Sequence, residues 1–235
     1  MSVNGANARD VGVVIVAGGT GTRVGGPELK QFRWVAGKPM LLHSVQTFMA
    51  HPRVGMVVCV LPQSHAGDPP PWLFQCDVDR LLVSIGGRSR MESVANGLDD
   101  LPDDAGIVLV HDAARPLVDL ATIDRVIESV RTGAATIAAL PVVDTLKRVT
   151  ADGTIAGTVD RSGLWRAQTP QGFPRAMLVD AHRRARADSI DATDDATLCE
   201  RLGHVVRVVQ GTERALKVTD AADFARVDAL FAVSE

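Results

Sequence analysis

The sequence predicts a doubly wound α/β fold with a mostly parallel sheet and a projecting β-arm. Three observations predict it. Apolar runs suited to buried strands alternate with stretches whose apolar residues recur at helical spacing. Polar, glycine-rich motifs follow those runs, at the carboxyl ends of strands where such sheets bind ligands. One late segment breaks the alternation, with β-branched residues on both sides of an Asp-Gly pair.

The strand runs are Val11 to Ala17, Val54 to Leu61, Leu81 to Ile85, Ile107 to Val110 and Ala134 to Leu140. They are near-continuously apolar, as parallel strands covered on both faces are. Between them, Leu41, Val45, Phe48 and Met49 share one helical face, as do Ile123, Val126, Ile127 and Val130. Near the end, Phe224, Val227, Leu230 and Phe231 repeat the pattern behind a Thr219 or Asp220 cap. Right-handed crossovers would join these elements into one layered domain. The exception, Val142 to Val159, turns at Asp152-Gly153 and reads as a hairpin. A lone hairpin is marginal in water, so this arm, residues 142–160, is expected to pack on a second copy of the chain; folding back on its own domain is the alternative.

At 235 residues and 46% hydrophobic content, the chain can bury one large core and carry an appendage. Residues 1–10 are polar and read as a disordered tail before a domain spanning 11–235. A net charge of −3 gives no general attraction to nucleic acid or anionic membranes, so any anion site must be a local concentration of Arg and Lys. Cys59, Cys76 and Cys199 lack CxxC spacing, which argues for a reducing, cytoplasmic setting and against a structural zinc site. No export signal or membrane-length apolar run is read in the chain.

The motif with most chemistry is VVIVAGGTGTRVGGPELK, from Val13 to Lys30, where a strand runs into glycines and then two spaced cations. Glycines let successive backbone N–H groups approach phosphate oxygens, and Arg23 and Lys30 add full charges. A βα turn built from Gly and Thr only to fit tightly is the alternative. The spacing excludes a Walker A loop, since Lys30 has no Gly before it and Gln31 after it, and misses the dinucleotide fingerprint, since Val24 stands near the place of its third glycine. A long basic loop that is mobile until phosphate arrives is the remaining expectation.

Three further groups follow. Gly86-Gly87-Arg88-Ser89-Arg90 precedes a helix starting with Glu92 and Ser93, and reads as an anion-facing helix start or as a tight turn capped by Ser89. His111-Asp112-Ala113-Ala114-Arg115-Pro116 places a carboxylate at a strand end, where it could hold a metal, ribose hydroxyls or simply the next backbone; His111 could be only a packed imidazole. Among the later loops, Thr193 reads as a helix N-cap, Trp165 as core, and Lys217 as part of a short strand Leu216 to Val218.

Together VAGGTGTR, LKQF, GGRSRMES, HDAARP, DTLKR, DRSGLW, QTPQGF, TDDAT and LKVT occur in the order and approximate spacing of the 2-C-methyl-D-erythritol 4-phosphate cytidylyltransferases, which the chain resembles from about Val11 to Leu230. The resemblance implies a Rossmann-like nucleotidyltransferase sheet and transfer of a cytidylyl group from CTP to the methylerythritol phosphate, with pyrophosphate released, in the non-mevalonate isoprenoid pathway. It implies Arg23 and Lys30 as catalytic contacts to the triphosphate. Ala17, Gly18, Gly19, Gly21, Gly87, Arg88, Arg90, Ser93, Asp112 and Ala113 would surround CTP. Arg115, Thr145, Arg161, Thr169, Thr193 and Lys217 would surround the acceptor, with Arg161 and Lys217 orienting its phosphate. The arm would dimerise the chain, so that Thr145 and Arg161 serve the partner's site. Mg²⁺ or another divalent cation would bridge the phosphates, with Asp112 as its one protein ligand. The chain departs from the usual family pattern at Val16, Leu29 and Arg88, none of which is a catalytic cation. A cytidylyltransferase for a pentitol phosphate such as ribitol 5-phosphate, and a non-catalytic sugar-nucleotide binding protein, are the alternatives; the latter would not need Arg23, Lys30 and Lys217 together.

Overall fold

The computed structural model describes residues 9–19 and 28–233. In chain order it contains β1 (Val11–Val16), β2 (Trp34–Val35), β3 (Lys38–Pro39), α1 (Met40–Ala50), β4 (Val54–Leu61), α2 (Gln63–Ala66), β5 (Leu81–Ile85), α3 (Arg90–Asp99), β6 (Ile107–Asp112), α4 (Leu120–Val130) and β7 (Ala135–Pro141). There follow β8 (Leu146–Val149), β9 (Ile155–Val159), β10 (Trp165–Pro174), α5 (Arg175–Ala187), α6 (Asp195–Arg201), β11 (Val206–Gln210) and α7 (Ala221–Ala232). Seven strands form one sheet in the order β11-β7-β10-β6-β1-β4-β5. Pairing is parallel except at β10, which runs antiparallel to both β6 and β7.

Alternation along β1 sorts the core into two layers. Val11, Val13 and Ile15 join Leu41, Val45 and Phe48 of α1 and Ile123, Val126 and Ile127 of α4 on one face. Val14 joins Val94 and Leu98 of α3, Leu178 and Ala181 of α5, and Leu198 of α6 on the other. Burying each such aliphatic side chain contributes roughly 1.5–3 kcal/mol, which is what the two helical stripes supply. α7 closes a smaller cluster, packing Phe224 and Val227 against Val35, Met40 and Val218.

Gly97 sits where α3 presses on the sheet. A β-carbon there would lie 2.6 Å from Val14 Cγ1 and 2.8 Å from Val60 Cγ2, both on fully buried side chains. Gly97→Ala is therefore expected to destabilise the fold by about 1–3 kcal/mol despite alanine's better helix propensity, because overpacking dominates. A urea midpoint equal to the parent's would show that the helix shifts away without cost.

The parallel strands expected from the sequence form within one or two residues of their runs, although β6 extends through Asp112. Two sheet strands, β10 and β11, were not expected, and both have a physical reason. β10 is polar and holds Pro170 and Gly172, and its pairing with β7 breaks between Ala167 and Gln171, yet it is central. Its buried amides are bonded: Gln168 donates to Thr212 O at 2.9 Å and Gln171 donates to Asp194 Oδ2 at 2.8 Å. β11 is a sheet-edge strand with Val208 45% exposed, so it lacks the continuous apolar run of an interior strand.

Three local expectations are corrected. Trp165 is 44% exposed rather than core, at the outer end of β10. Thr193 does not cap α6; Asp194 does, accepting from Thr197 N, because its carboxylate reaches the amide three residues on. Leu216 to Val218 is not a strand, since it has no ladder partner and is tied instead by Val218 N to Ala114 O at 2.8 Å.

β8 and β9 form their own two-stranded antiparallel sheet, with Gly153 at φ +86° in the turn. Val143, Val149, Ile155 and Leu164 are exposed in and beside it. At the other end of the domain sequence, Asp10 makes a two-oxygen ion pair with Arg131 at 2.8 and 2.9 Å. Residues 1–8 of the expected tail lie outside the described residues, as do Gly21 and Arg23 of the expected phosphate loop.

Candidate active site

Register brings the motifs together. Val16 at the end of β1 lies beside Val60 of β4 and Asp112 of β6, and Leu61 lies beside Ile85 of β5. The residues that follow these strands therefore meet at one end of the sheet. The loops after β1 and β5 touch through glycine: a β-carbon on Gly86 would stand 2.9 Å from Leu61 O and 3.3 Å from Gly18 Cα. Any larger residue at Gly86 would push the two loops apart.

A cavity of about 630 Å³ opens there, of the size that holds a nucleotide-sized ligand. The expected residues Ala17, Gly18, Gly19 and Lys30 from the first loop, Gly87, Arg88, Arg90 and Ser93 from the start of α3 and the loop before it, and Asp112, Ala113 and Lys217 all line it. A smaller cavity of about 230 Å³ is lined by Arg115, Thr169 and Thr193 and shares Arg90, Asp112 and Lys217 with the first. Thr145 and Arg161 line neither cavity. Both are exposed, and the Arg161 guanidinium donates to Val143 O.

Hydrogen bonds fix the walls. Gln31 Nε2 donates to Ala17 O at 2.5 Å and to Gly19 O at 3.1 Å. Because the C=O and N–H of a trans peptide point in opposite directions, this turns the Gly18 N–H away from Gln31. Lys30 Nζ donates to Val218 O at 2.8 Å, which joins the first loop to the segment carrying Lys217. At the start of α3, Ser89 Oγ accepts from Glu92 N at 3.1 Å, while Ser93 Oγ accepts from Gly87 N at 3.0 Å and donates to Ser89 O at 2.8 Å. Ser89 thus acts as a cap, and the Gly87 amide is engaged with Ser93. Arg88 is 94% exposed in its side chain and pairs with Glu92 among the described residues, so it stands at the rim.

The charged centre is continuous. Asp112, 9% exposed, accepts from Arg90 Nε at 3.3 Å through Oδ1 and from Lys217 Nζ at 2.7 Å through Oδ2. Burial alone would raise the Asp112 carboxyl, but Arg90, Lys217 and Arg115 outweigh it and hold the group well below the usual carboxylate range. Arg90 also donates from Nη1 to Asp195 Oδ2 at 2.7 Å; burial would lower its pKa, but the two carboxylates raise it further. Arg115 spans the loops, donating to Ala215 O at 2.7 Å and Ala167 O at 3.3 Å.

Thr169 Oγ accepts from Asp112 N at 3.0 Å and lies 3.1 Å from His111 Nδ1, whose Nε2 is 3.2 Å from Arg115 O. These partners assign the neutral Nε2–H tautomer, with Nδ1 accepting from the threonine. Burial pushes the His111 imidazole down to about 4 from 6.5. The unfolded chain therefore takes up this proton first, and the stability His111 contributes is intact above about pH 6.5 and lost as pH falls toward 4, a change of about 3 kcal/mol. His111→Gln is expected to flatten that part of the pH profile of the melting temperature. Parallel profiles for parent and variant between pH 7 and 4.5 would refute it.

Several participants were not assigned to the site from the sequence: Gln31, which shapes the first loop, Thr219 on the cavity wall, read only as a possible cap of α7 where Asp220 is the cap, and Asp195 with its partner His182. Gln31 lies within LKQF and Asp195 within TDDAT, so both were visible as motif positions without a role. His182 carries no local signal.

Among the described residues no group of three or more His, Cys, Asp or Glu could hold a metal ion. Among the described residues Asp112 is the one carboxylate lining the larger cavity. That fits a Mg²⁺ that keeps water and phosphate oxygens for most of its shell, and does not fit an all-protein cage. Among the described residues no helix is long and apolar enough to cross a membrane.

The sequence model of the family described as 2-C-methyl-D-erythritol 4-phosphate cytidylyltransferase matches residues 11–233. A relative of that name from Salinibacter ruber is 43% identical over 221 residues, covering 93% of this chain and 92% of the relative. A bifunctional enzyme IspD/IspF from Desulfotalea psychrophila is 39% identical over 90% of this chain, which spans only 54% of that longer protein. The crystal structure of 2-C-methyl-D-erythritol 4-phosphate cytidylyltransferase from Thermus thermophilus superposes with a TM-score of 0.79 at 32% identity, covering 93% of this chain and 98% of that one.

Proposed function

Because the chain belongs to the 2-C-methyl-D-erythritol 4-phosphate cytidylyltransferase family, we propose that it carries out the family's reaction where its two cavities meet. It transfers the cytidylyl group of CTP to 2-C-methyl-D-erythritol 4-phosphate, giving 4-diphosphocytidyl-2-C-methyl-D-erythritol and pyrophosphate, a step of isoprenoid precursor biosynthesis. The observation that carries the placement is the sharing of Arg90, Asp112 and Lys217 by the larger and smaller cavities. CTP takes the larger and the acceptor the smaller, so the reacting phosphates meet beside Lys217.

An acceptor phosphate oxygen attacks the α-phosphorus in line, a new P–O bond forms, and the bond to the β-phosphate breaks with pyrophosphate leaving. An ionised phosphate is already a competent nucleophile, so positioning and charge stabilisation are the protein's work. Lys30, tied to Val218 O, and Arg23 hold the triphosphate; Lys217 and Arg115 hold the acceptor phosphate and Thr169 and Thr193 its polyol. A bound Mg²⁺ would neutralise phosphate charge, with Asp112 as the residue to hold it. The three free cysteines support a cytoplasmic setting.

Pyrophosphate release tests the reading: CTP and Mg²⁺ with methylerythritol 4-phosphate or ribitol 5-phosphate, and Lys30→Ala as the control. Turnover on the first acceptor alone, lost in the variant, is expected. Turnover on ribitol phosphate would reassign the acceptor, and silence on both would refute the reading.

The arm dimerises the chain and brings Thr145 and Arg161 into the partner's smaller cavity. Its exposed Val143, Val149 and Ile155, and the fact that neither Thr145 nor Arg161 lines either cavity of its own chain, support this. Mixing Arg161→Ala with Lys217→Ala protein, each nearly inactive alone, should then restore about a quarter of parental turnover. Half of the dimers are mixed, and each mixed dimer has one intact site. Activity no higher than the mean of the two variants would place Arg161 in its own chain's chemistry.

A further inference from the structure

The charged centre does not end at the cavity wall. Asp195, in the first turn of α6, is 1% exposed and divides its carboxylate between two partners. Oδ2 accepts from Arg90 Nη1 at 2.7 Å, and Oδ1 lies 2.9 Å from Nε2 of His182, itself 6% exposed on α5. From there the path runs through Arg90 Nε to Asp112 Oδ1 and from Asp112 Oδ2 to Lys217 Nζ. Five side chains from α5, α6, the start of α3, the end of β6 and the loop before α7 thus form one chain of alternating partners, buried at the His182 end and open to both cavities at the other.

We propose that Asp195 and His182 are positioning residues for the transfer reaction: they hold Arg90 so that it shares Asp112 with Lys217. This rests on the reading of the site given above. The physical reason is competition for one carboxylate. A guanidinium with no second partner prefers the two-oxygen, two-nitrogen geometry with a carboxylate. Freed from Asp195, Arg90 would turn both of its donors onto Asp112 and displace Lys217 from Oδ2. Asp195 pins Nη1, and in that orientation the guanidinium reaches Asp112 through Nε alone, while Nη2, the other donor on the Nε edge, is held off the carboxylate. His182 keeps Asp195 itself from rotating, because an arginine bonded to a carboxylate free to swing would not be fixed. Arg90 lines both cavities and its Nη2 has no hydrogen-bond partner among the described residues, so the same restraint leaves one donor available for a ligand.

Steady-state kinetics with CTP and methylerythritol 4-phosphate, calorimetric CTP binding and melting temperature form the test, on the full chain. Asp195→Asn is expected to lower kcat/KM for CTP about ten- to hundredfold, chiefly through kcat, while the protein stays folded. In an Arg90→Ala background the same change should have less than about a twofold effect, since a residue acting through Arg90 has nothing left to position. His182→Gln, which keeps a donor to Asp195, should retain activity near the parent's, and His182→Leu should not. Should Asp195→Asn fail to fold, the two His182 variants decide. Parental kinetics in His182→Leu, or an equal loss from Asp195→Asn with and without Arg90, would overturn the proposal. An inactive parent would instead fail the reading of the site, and the proposal with it.

Discussion

Lys217→Ala is expected to lower kcat about a hundred- to thousandfold while leaving the fold nearly as stable as the parent. The two halves of that expectation have different causes. Lys217 Nζ is 2.7 Å from Asp112 Oδ2, yet its side chain is 43% exposed and lines both cavities. Only one of its three N–H donors is needed by Asp112, which leaves the others for the acceptor phosphate and the α-phosphate on the reading proposed above. Charge develops between those phosphates during transfer, in a concave site only partly open to water, so a fixed cation contributes more than it would on an open surface. Stability is less affected because Asp112 keeps Arg90 and is not left as a lone buried charge. Lys217→Arg should recover part of the rate only, since a planar fork cannot replace a point charge at the same spot. If Lys217→Ala kept kcat within threefold and raised only KM for the acceptor, Lys217 would be a binding residue and not a stabiliser of the transition state.

The parallel half of the sheet was legible in the sequence because its strands are covered on both faces and must be continuously apolar. With the strands came their carboxyl ends, and so Ala17, Gly87 and Asp112 fell together as expected. β10 was not legible, because a central strand with buried Gln168 and Gln171 depends on partners at Thr212 and Asp194 that no local pattern announces. Lys217 was singled out for its place in LKVT, but on a strand that does not form; contacts at Ala114 and Asp112, more than a hundred residues away, bring it to the cavities. His182 and Asp195 show the limit most clearly. Their pairing joins two helices, and its meaning depends on Arg90, which is on a third.

Asp112→Asn is expected to separate two functions that one carboxylate can serve. As a counter-charge, Asp112 holds Arg90 and Lys217 in place; as a metal ligand, it would help hold Mg²⁺ against the triphosphate. Turnover with saturating substrates should fall about a hundred- to thousandfold in either case. Binding without metal distinguishes them. Removing a negative charge several Å from a triphosphate favours CTP by on the order of 1 kcal/mol at the effective dielectric of a partly open site. Metal-free CTP should therefore bind the variant as tightly as the parent or more tightly, provided Arg90 stays anchored by Asp195. The Mg²⁺ concentration giving half-maximal rate should rise at the same time, because the one carboxylate in the cavity has become a neutral amide. Weaker metal-free CTP binding with an unchanged Mg²⁺ dependence would assign Asp112 to the cations alone, and the metal would then depend on phosphate and water. The fold should survive the change, since Arg90 retains Asp195 and the half-exposed Lys217 can be solvated. Loss of activity in this variant is thus a statement about the site and not about the stability of the domain.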